Sequence, residues 1–158
     1  MKLLERYQGS LIGLAIGDAL GVPVEFHKPG SFELISNFRD STWFPLPSGH
    51  WSDDTATMLC LAHSLIEQKK FEPVDQIVKY KKWHEEGYCS STGKAVGVGQ
   101  TVLRALLSYK YGESPYVAIY GVKSDGNGSL MRLAPIPLFF REKPKEPPPL
   151  TRLHILSL

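Results

Sequence analysis

The sequence predicts an all-α domain. Apolar residues recur at helical spacing in several separate segments, residues that start and stop helices flank those segments, and no β-hairpin signal stands out. With 158 residues the chain suits one domain able to bury roughly 70% of its unfolded surface. Its 42% apolar and 22% charged content are those of a soluble globular protein, and a net charge of +2 gives no reason to expect nucleic acid.

The first helix is predicted from Leu3, Leu4, Tyr7, Leu11, Leu14 and Ala15. The same segment carries Gly9, Gly13, Gly17 and Gly21, one every four residues. Each interior glycine costs about 1 kcal/mol relative to alanine. The expected offset is a close backbone approach that a Cβ would block, which also suggests that Asp18 near the helix end comes close to something. Residues 22–50 lack helical periodicity and are broken by Pro23, Pro29, Gly30, Pro45, Pro47 and Gly49. A connection this long is often a lid or a binding loop. Glu25 lies in it and reads, by itself, as an exposed loop glutamate.

A second helix is expected from Ser52 to about Lys70. Ser52 is the N-cap, Asp53 and Asp54 suit the positive helix end, and Met58, Leu59, Ala62, Leu65 and Ile66 form the buried stripe. A third starts at Pro73 and stops before Gly87, with Val74, Ile77 and Val78 inward and Lys79, Lys81 and Lys82 as a solvated face. A fourth spans about Gln100 to Tyr111 with Val102, Leu103, Leu106 and Leu107 apolar, and Ser114-Pro115 looks like the start of a short helix. After Arg141, Pro144, Pro147, Pro148 and Pro149 introduce a segment of little periodicity. The chain therefore divides into a domain over 1–143 and a poorly ordered tail over 144–158.

Cys60 sits in an apolar helical pattern and reads as a core residue. Two cysteines, Cys60 and Cys89, make no disulfide framework, and the Cys60/His63 spacing lacks a second pair for zinc. A reducing, cytoplasmic setting is the default. No segment approaches the ~20 apolar residues of a membrane span.

Three segments carry chemistry. In Trp51-Ser52-Asp53-Asp54-Thr55 two carboxylates stand between hydroxyls at a helix start. A helix cap accounts for them, and so does a hard oxygen site for Mg²⁺ or Mn²⁺, which would need further ligands from another segment. The stretch Ser124-Asp125-Gly126-Asn127-Gly128-Ser129-Leu130-Met131 is either a plain loop or a row of backbone N–H groups turned toward an anion such as phosphate. A calcium loop fails there because Leu130 stands at the required glycine, and a Walker loop fails for want of Gly-Lys-Ser/Thr. Residues 87–99 are again rich in glycine and hydroxyls, and two such loops suggest a pyrophosphate-containing ligand.

Taken in order, residues 9–21, 51–58, 87–93 and 126–135 resemble the ADP-ribosylglycohydrolase family, and the resemblance covers about residues 1–143. It implies an orthogonal helical bundle, here incomplete at its C-terminus, with two Mg²⁺ or Mn²⁺ ions at its centre. It implies hydrolysis of the ADP-ribose C1″ bond to a protein side chain or to polymer. By the same resemblance Ser52, Asp53 and Asp54 would be metal ligands and Asp53 and Glu25 catalytic. Ser124, Asp125, Gly126, Asn127, Gly128 and Met131 would hold the substrate with Gly97 and Gly99.

Two features depart from the family pattern. Val96-Gly97-Val98-Gly99 lacks an acidic residue found in many members that act on ADP-ribosyl-arginine, and looks more like the branch acting on O-linked ADP-ribose. No aspartate follows Arg132, so the Asp-x-Asp motif that completes the metal site in the family is missing. A truncated or frame-shifted member with impaired hydrolysis is therefore expected. The alternatives are a non-catalytic ADP-ribose-binding fragment and an inactive helical fragment. The expected partners are ADP-ribosylated proteins or ADP-ribose-containing small molecules, with no nucleic acid and no membrane. An exposed apolar face, and pairing with a second chain through it, is a further expectation.

Overall fold

A computed structural model of the chain describes residues 2–116 and 126–142. Among them the regular structure is helical: α1 Leu3–Gly21, α2 Asp53–Gln68, α3 Pro73–Glu86, α4 Gln100–Ser108 and α5 Pro135–Phe140, with a 3₁₀ turn at Val22–Val24. None of these helices is long and apolar enough to cross a membrane. The predicted tail and Ser124-Asp125 lie outside the described residues, as does most of what would follow Ser114-Pro115.

The core forms where α2, α3 and α4 meet. Ala56, Cys60, Leu61 and Leu65 of α2 pack with Ile77, Tyr80 and Trp83 of α3 and with Val102, Ala105 and Leu106 of α4, and Phe140 of α5 joins them. Cys60 belongs to this core, as expected, and both cysteines are free thiols. Arg132 is buried with its guanidinium 4.7 Å from the Tyr80 ring, so a cation–π contact takes up part of its charge.

Several inward assignments shift by part of a turn. On α2, Leu61, Cys60 and Ser64 are buried with Met58 and Leu65, whereas Ile66 is 66% exposed. Val74 and Leu107 are likewise exposed. Lys79 is not on a solvated face: it is buried, its Nζ 2.6 Å from Glu67 and 3.5 Å from Asp75. Helix α2 ends earlier than predicted, with Lys69 left-handed at φ 55°, and α4 ends at Ser108 before an extended Tyr109.

The glycines of α1 do not behave as expected. A Cβ at Gly9, Gly13, Gly17 or Gly21 would meet nothing within 4 Å. No close approach offsets their cost among the described residues; the stripe faces open space. Beside it Ile12 and Ile16 are exposed, and in α1 the buried residues are Asp18 and Ala19. A second apolar surface is a groove of about 230 Å³ formed by Tyr7 and Leu11 of α1, Ala62, Leu65 and Ile66 of α2, and Pro135, Leu138 and Phe139 of α5.

Adjacent residues on α2 therefore differ sharply in environment. Leu65→Ala is expected to destabilise the chain by about 2–5 kcal/mol, and Ile66→Ala by less than about 1 kcal/mol. Urea denaturation of the two variants checks this assignment of the buried face.

Candidate functional site

The site begins with Asp18. Its buried carboxylate meets the N-terminus of α2, where the first backbone N–H groups of a helix have no partner within the helix. The N–H groups of Ser52 and Thr55 each donate to it at 3.0 Å, and the hydroxyls of Ser52 and Thr55 donate at 2.6 and 2.7 Å. Ser52 does occupy the N-cap position, but its side chain caps nothing. The acceptor comes from α1 instead. This is the close approach that the sequence suggested for Asp18, with a different cause from the glycines.

The segment before α2 is fixed from the other side by residues 87–99. The Trp51 indole N–H donates to the Cys89 carbonyl at 3.1 Å, and the Ser91 hydroxyl donates to the Trp51 carbonyl at 2.7 Å. The loop leaves α3 through Gly87, left-handed at φ 74°, where any Cβ would strike the Gly93 carbonyl. It returns through Gly97, at φ 81°, where a Cβ would strike the Asp53 carboxylate. Both glycines are required by conformation and by space.

These constraints shape a cavity of about 640 Å³. Glu25, Ser52, Asp53, Asp54, Gly97, Gly99, Asn127 and Met131 all line it, together with Asp18, Phe26 and Phe44. Gly126 and Gly128 lie around an adjoining pocket of about 110 Å³ that shares Asp53, Gly99, Asn127 and Met131 with the larger one. A Cβ at Gly128 would come within 2.7 Å of Val102, so this loop sits close on α4. Every predicted site residue within the described part of the chain is thus brought to one place. Asp18, Phe26 and Phe44 were not among the predicted site residues; for Asp18 its place at the end of a glycine-rich helix was a partial signal.

The electrostatics follow from burial and from like charges. Asp53 is pushed up to about 8, chiefly by burial and then by Asp54, with smaller effects from Glu25 and Asp18. Asp54 is raised to about 6 by burial, then by Asp18 and Glu25. Glu25 is raised by burial and by Asp18. Among the described residues lining the cavity there is no Lys, Arg or His to offset them.

Such a cavity favours a cation held by oxygen donors, and the donor chemistry of Ser52, Asp53 and Asp54 suits Mg²⁺ or Mn²⁺. The set is short of complete. Among the described residues no group of three or more His, Cys, Asp or Glu is placed to hold a metal ion.

Comparison with known proteins shows which family the chain resembles. A model of the ADP-ribosylglycohydrolase family matches residues 1–153. The chain is 35% identical over 140 residues to the ADP-ribosylarginine hydrolase Tri1 of Pseudomonas putida, an alignment covering 89% of this chain and 38% of that protein. It is 32% identical over 153 residues to the ADP-ribosylhydrolase ARH3 of Danio rerio, covering 90% of this chain and 40% of that one. A solved structure of an ADP-ribosylglycohydrolase-related protein complex superposes with a TM-score of 0.72 at 36% identity, covering 96% of this chain and 46% of that chain. The chain therefore spans less than half the length of these relatives.

Two outcomes follow. Asp53 and Asp54 hold protons more tightly when folded than when unfolded, so their contribution to stability is complete below about pH 4 and is lost as pH rises through about 6 and about 8. In chelator-containing buffer the melting temperature should fall across that window, and Asp53→Asn should flatten the fall. Asp18→Ala, which leaves the N-terminus of α2 without its acceptor, should destabilise the chain by about 2–4 kcal/mol in chemical denaturation at pH 7.

Proposed function

This chain belongs to the ADP-ribosylglycohydrolase family, and we propose that its cavity binds ADP-ribose and takes part in hydrolysing the bond from ribose C1″ to an acceptor. The observation that supports this reading is the convergence of distant segments on one cavity. Val22, Val24 and Glu25, residues 52–54, residues 97–100, and Asn127 with Met131 are far apart in sequence and line a space of a size typical for a ligand this large. The glycines at 97 and 99 and the loop at Asn127 would lie against the diphosphate, where small residues let backbone approach it.

Breaking the C1″ bond builds positive charge on the ribose. Asp53, Asp54 and Glu25 are suited to stabilise that charge, since they stand together with no cationic side chain among the described residues lining the cavity. Glu25, whose pKa is raised by burial and by Asp18, is the candidate to take a proton from the attacking water when ionised. Ser52, Asp53 and Asp54 would hold a divalent ion, which supplies orientation of the ribose hydroxyls and compensation of charge when bound. A second reading, ADP-ribose binding without hydrolysis, is favoured by the incomplete set of metal donors among the described residues. We also place the protein in the cytoplasm, where free thiols such as Cys60 and Cys89 persist.

Calorimetry of the 158-residue chain with ADP-ribose, with and without Mg²⁺, tests the binding. Binding that strengthens with Mg²⁺ and weakens at least about tenfold in Asp53→Asn is the expected result. Release of ADP-ribose from a modified protein separates hydrolysis from binding alone. A chain that neither binds nor releases ADP-ribose would sink both readings.

A further inference from the structure

We propose that Cys89 is a peroxide-reactive thiol and that Cys60 resolves it, closing a reversible disulfide within the chain. The two cysteines come from different elements, Cys60 from α2 and Cys89 from the turn that follows α3. Cys60 and His63 stand three residues apart, so they share a face of α2, and that face meets the turn. The Cys60 thiol hydrogen-bonds to Cys89 Sγ. His63 Nδ1 lies 3.7 Å from Cys89 Sγ and 2.6 Å from the Tyr88 hydroxyl. The Cys60/His63 spacing, which lacks a second pair for zinc, thus has a thiol and a phenol as its neighbours.

Three features separate Cys89 from an ordinary packed thiol. It is half-buried, open enough for a small oxidant, whereas Cys60 is fully buried. Its backbone is left-handed at φ 62°, a region that L side chains rarely adopt. The turn holds it there, because the Ser90 N–H and hydroxyl both donate to the Gly87 carbonyl, at 3.0 and 2.7 Å, and the Cys89 carbonyl accepts from the Trp51 indole. Donors also converge on its sulfur. The Cys60 S–H and the Tyr88 O–H donate to it, and with the Tyr88 proton so placed the His63 Nδ1–H donates to the Tyr88 oxygen. The other acceptor near Cys60, the Lys79 carbonyl, is at a long 3.7 Å. The Cys60 hydrogen bond, with Tyr88 adding to it, holds the Cys89 thiol below its ordinary value although burial opposes them. The same hydrogen bond and burial push Cys60 up.

The roles follow from that asymmetry, since the thiolate is the attacking form. The Cys89 thiolate attacks one peroxide oxygen, the O–O bond breaks and hydroxide leaves, which makes Cys89 a sulfenic acid. The Cys60 sulfur then attacks the Cys89 sulfur. The S–S bond forms, the S–O bond breaks, and the Cys60 proton leaves with the hydroxide as water. The two thiols lose two electrons and two protons, and one hydrogen peroxide becomes two waters. A thiol reductant reverses the step by exchange. Closing the bond draws Cys89 toward α2, and its carbonyl carries the Trp51 indole, next to Ser52, with it.

The test uses the reduced 158-residue chain and hydrogen peroxide at pH 7. Mass spectrometry should find an intact chain lighter by two hydrogens, a cross-linked pair of peptides carrying Cys60 and Cys89, and full recovery with dithiothreitol. Cys89 should react about tenfold faster than free cysteine, which is only a few per cent thiolate near this pH. Tyr88→Phe should lose most of that advantage. In Cys60→Ala the reaction should stop at a Cys89 sulfenic acid, trapped by dimedone, and in Cys89→Ser Cys60 should stay reduced. Circular dichroism checks the fold of each variant. Where Cys60→Ala is unfolded, early dimedone labelling of the unmutated chain reads the same intermediate. Absence of the cross-link, a cross-link between chains instead of within one, or a Cys89 no faster than free cysteine overturns the proposal. Oxidation of Cys60 in Cys89→Ser as fast as in the unmutated chain overturns it too.

Discussion

The rest of the structure depends on one buried carboxylate. Asp18 projects from the last turn of α1 and accepts from both the backbone and the hydroxyls of Ser52 and Thr55. An ionised group taken out of water needs such donors, and a helix N-terminus needs such an acceptor. Each answers the need of the other. The contact fixes where α2 begins relative to α1, and so fixes the direction of Asp53 and Asp54 on its first turn. The 87–99 loop then closes on that turn from the other side through Trp51 and Gly97.

The same arrangement collects more negative charge than it compensates. The Ser52 and Thr55 N–H groups at the start of α2 are spent on Asp18, and Asp53, Asp54 and Glu25 repel one another in a partly desolvated space. A protein core would not keep such a cluster for its own stability. Its presence in a cavity, beside glycine-rich backbone and exposed aromatic rings, is what separates a ligand site from a set of helix caps. This is also why the acidic pair could not be judged from its own segment: the cap and the ligand site begin from the same residues.

The sequence was most legible where residue type and spacing act locally. The starts of α2 and α3, the end of α3 at Gly87 and the burial of Cys60 follow from capping, proline placement and periodicity. The candidate site was legible because four separate motifs resembled one family, and the described members of all four meet. Other features depend on what lies across a gap and leave little local trace. The α1 glycines read as a close approach, yet periodicity cannot show whether anything stands opposite. The inward face of α2 turned out rotated, toward Leu61 and Ser64 and away from Ile66, because α3 and α4 decide which side is covered. Helix α5 has six residues, too few for a periodic signal, and two of them are proline. The left-handed backbone of Phe26 runs against residue preference, so no propensity argument could have found it.

The uneven covering of α1 has a consequence for its motions. Its C-terminal end is tied to α2 through Asp18 and Ala19, while its earlier turns carry exposed glycines and half-covered apolar residues. Amide hydrogens along this one helix should therefore exchange with solvent on a gradient. Those near Leu4 to Ile12 would open by local fraying, and those near Asp18 and Ala19 would open only when the α2 anchor does. A single helix would then belong to two cooperative units, with the boundary between them running close to Gly13.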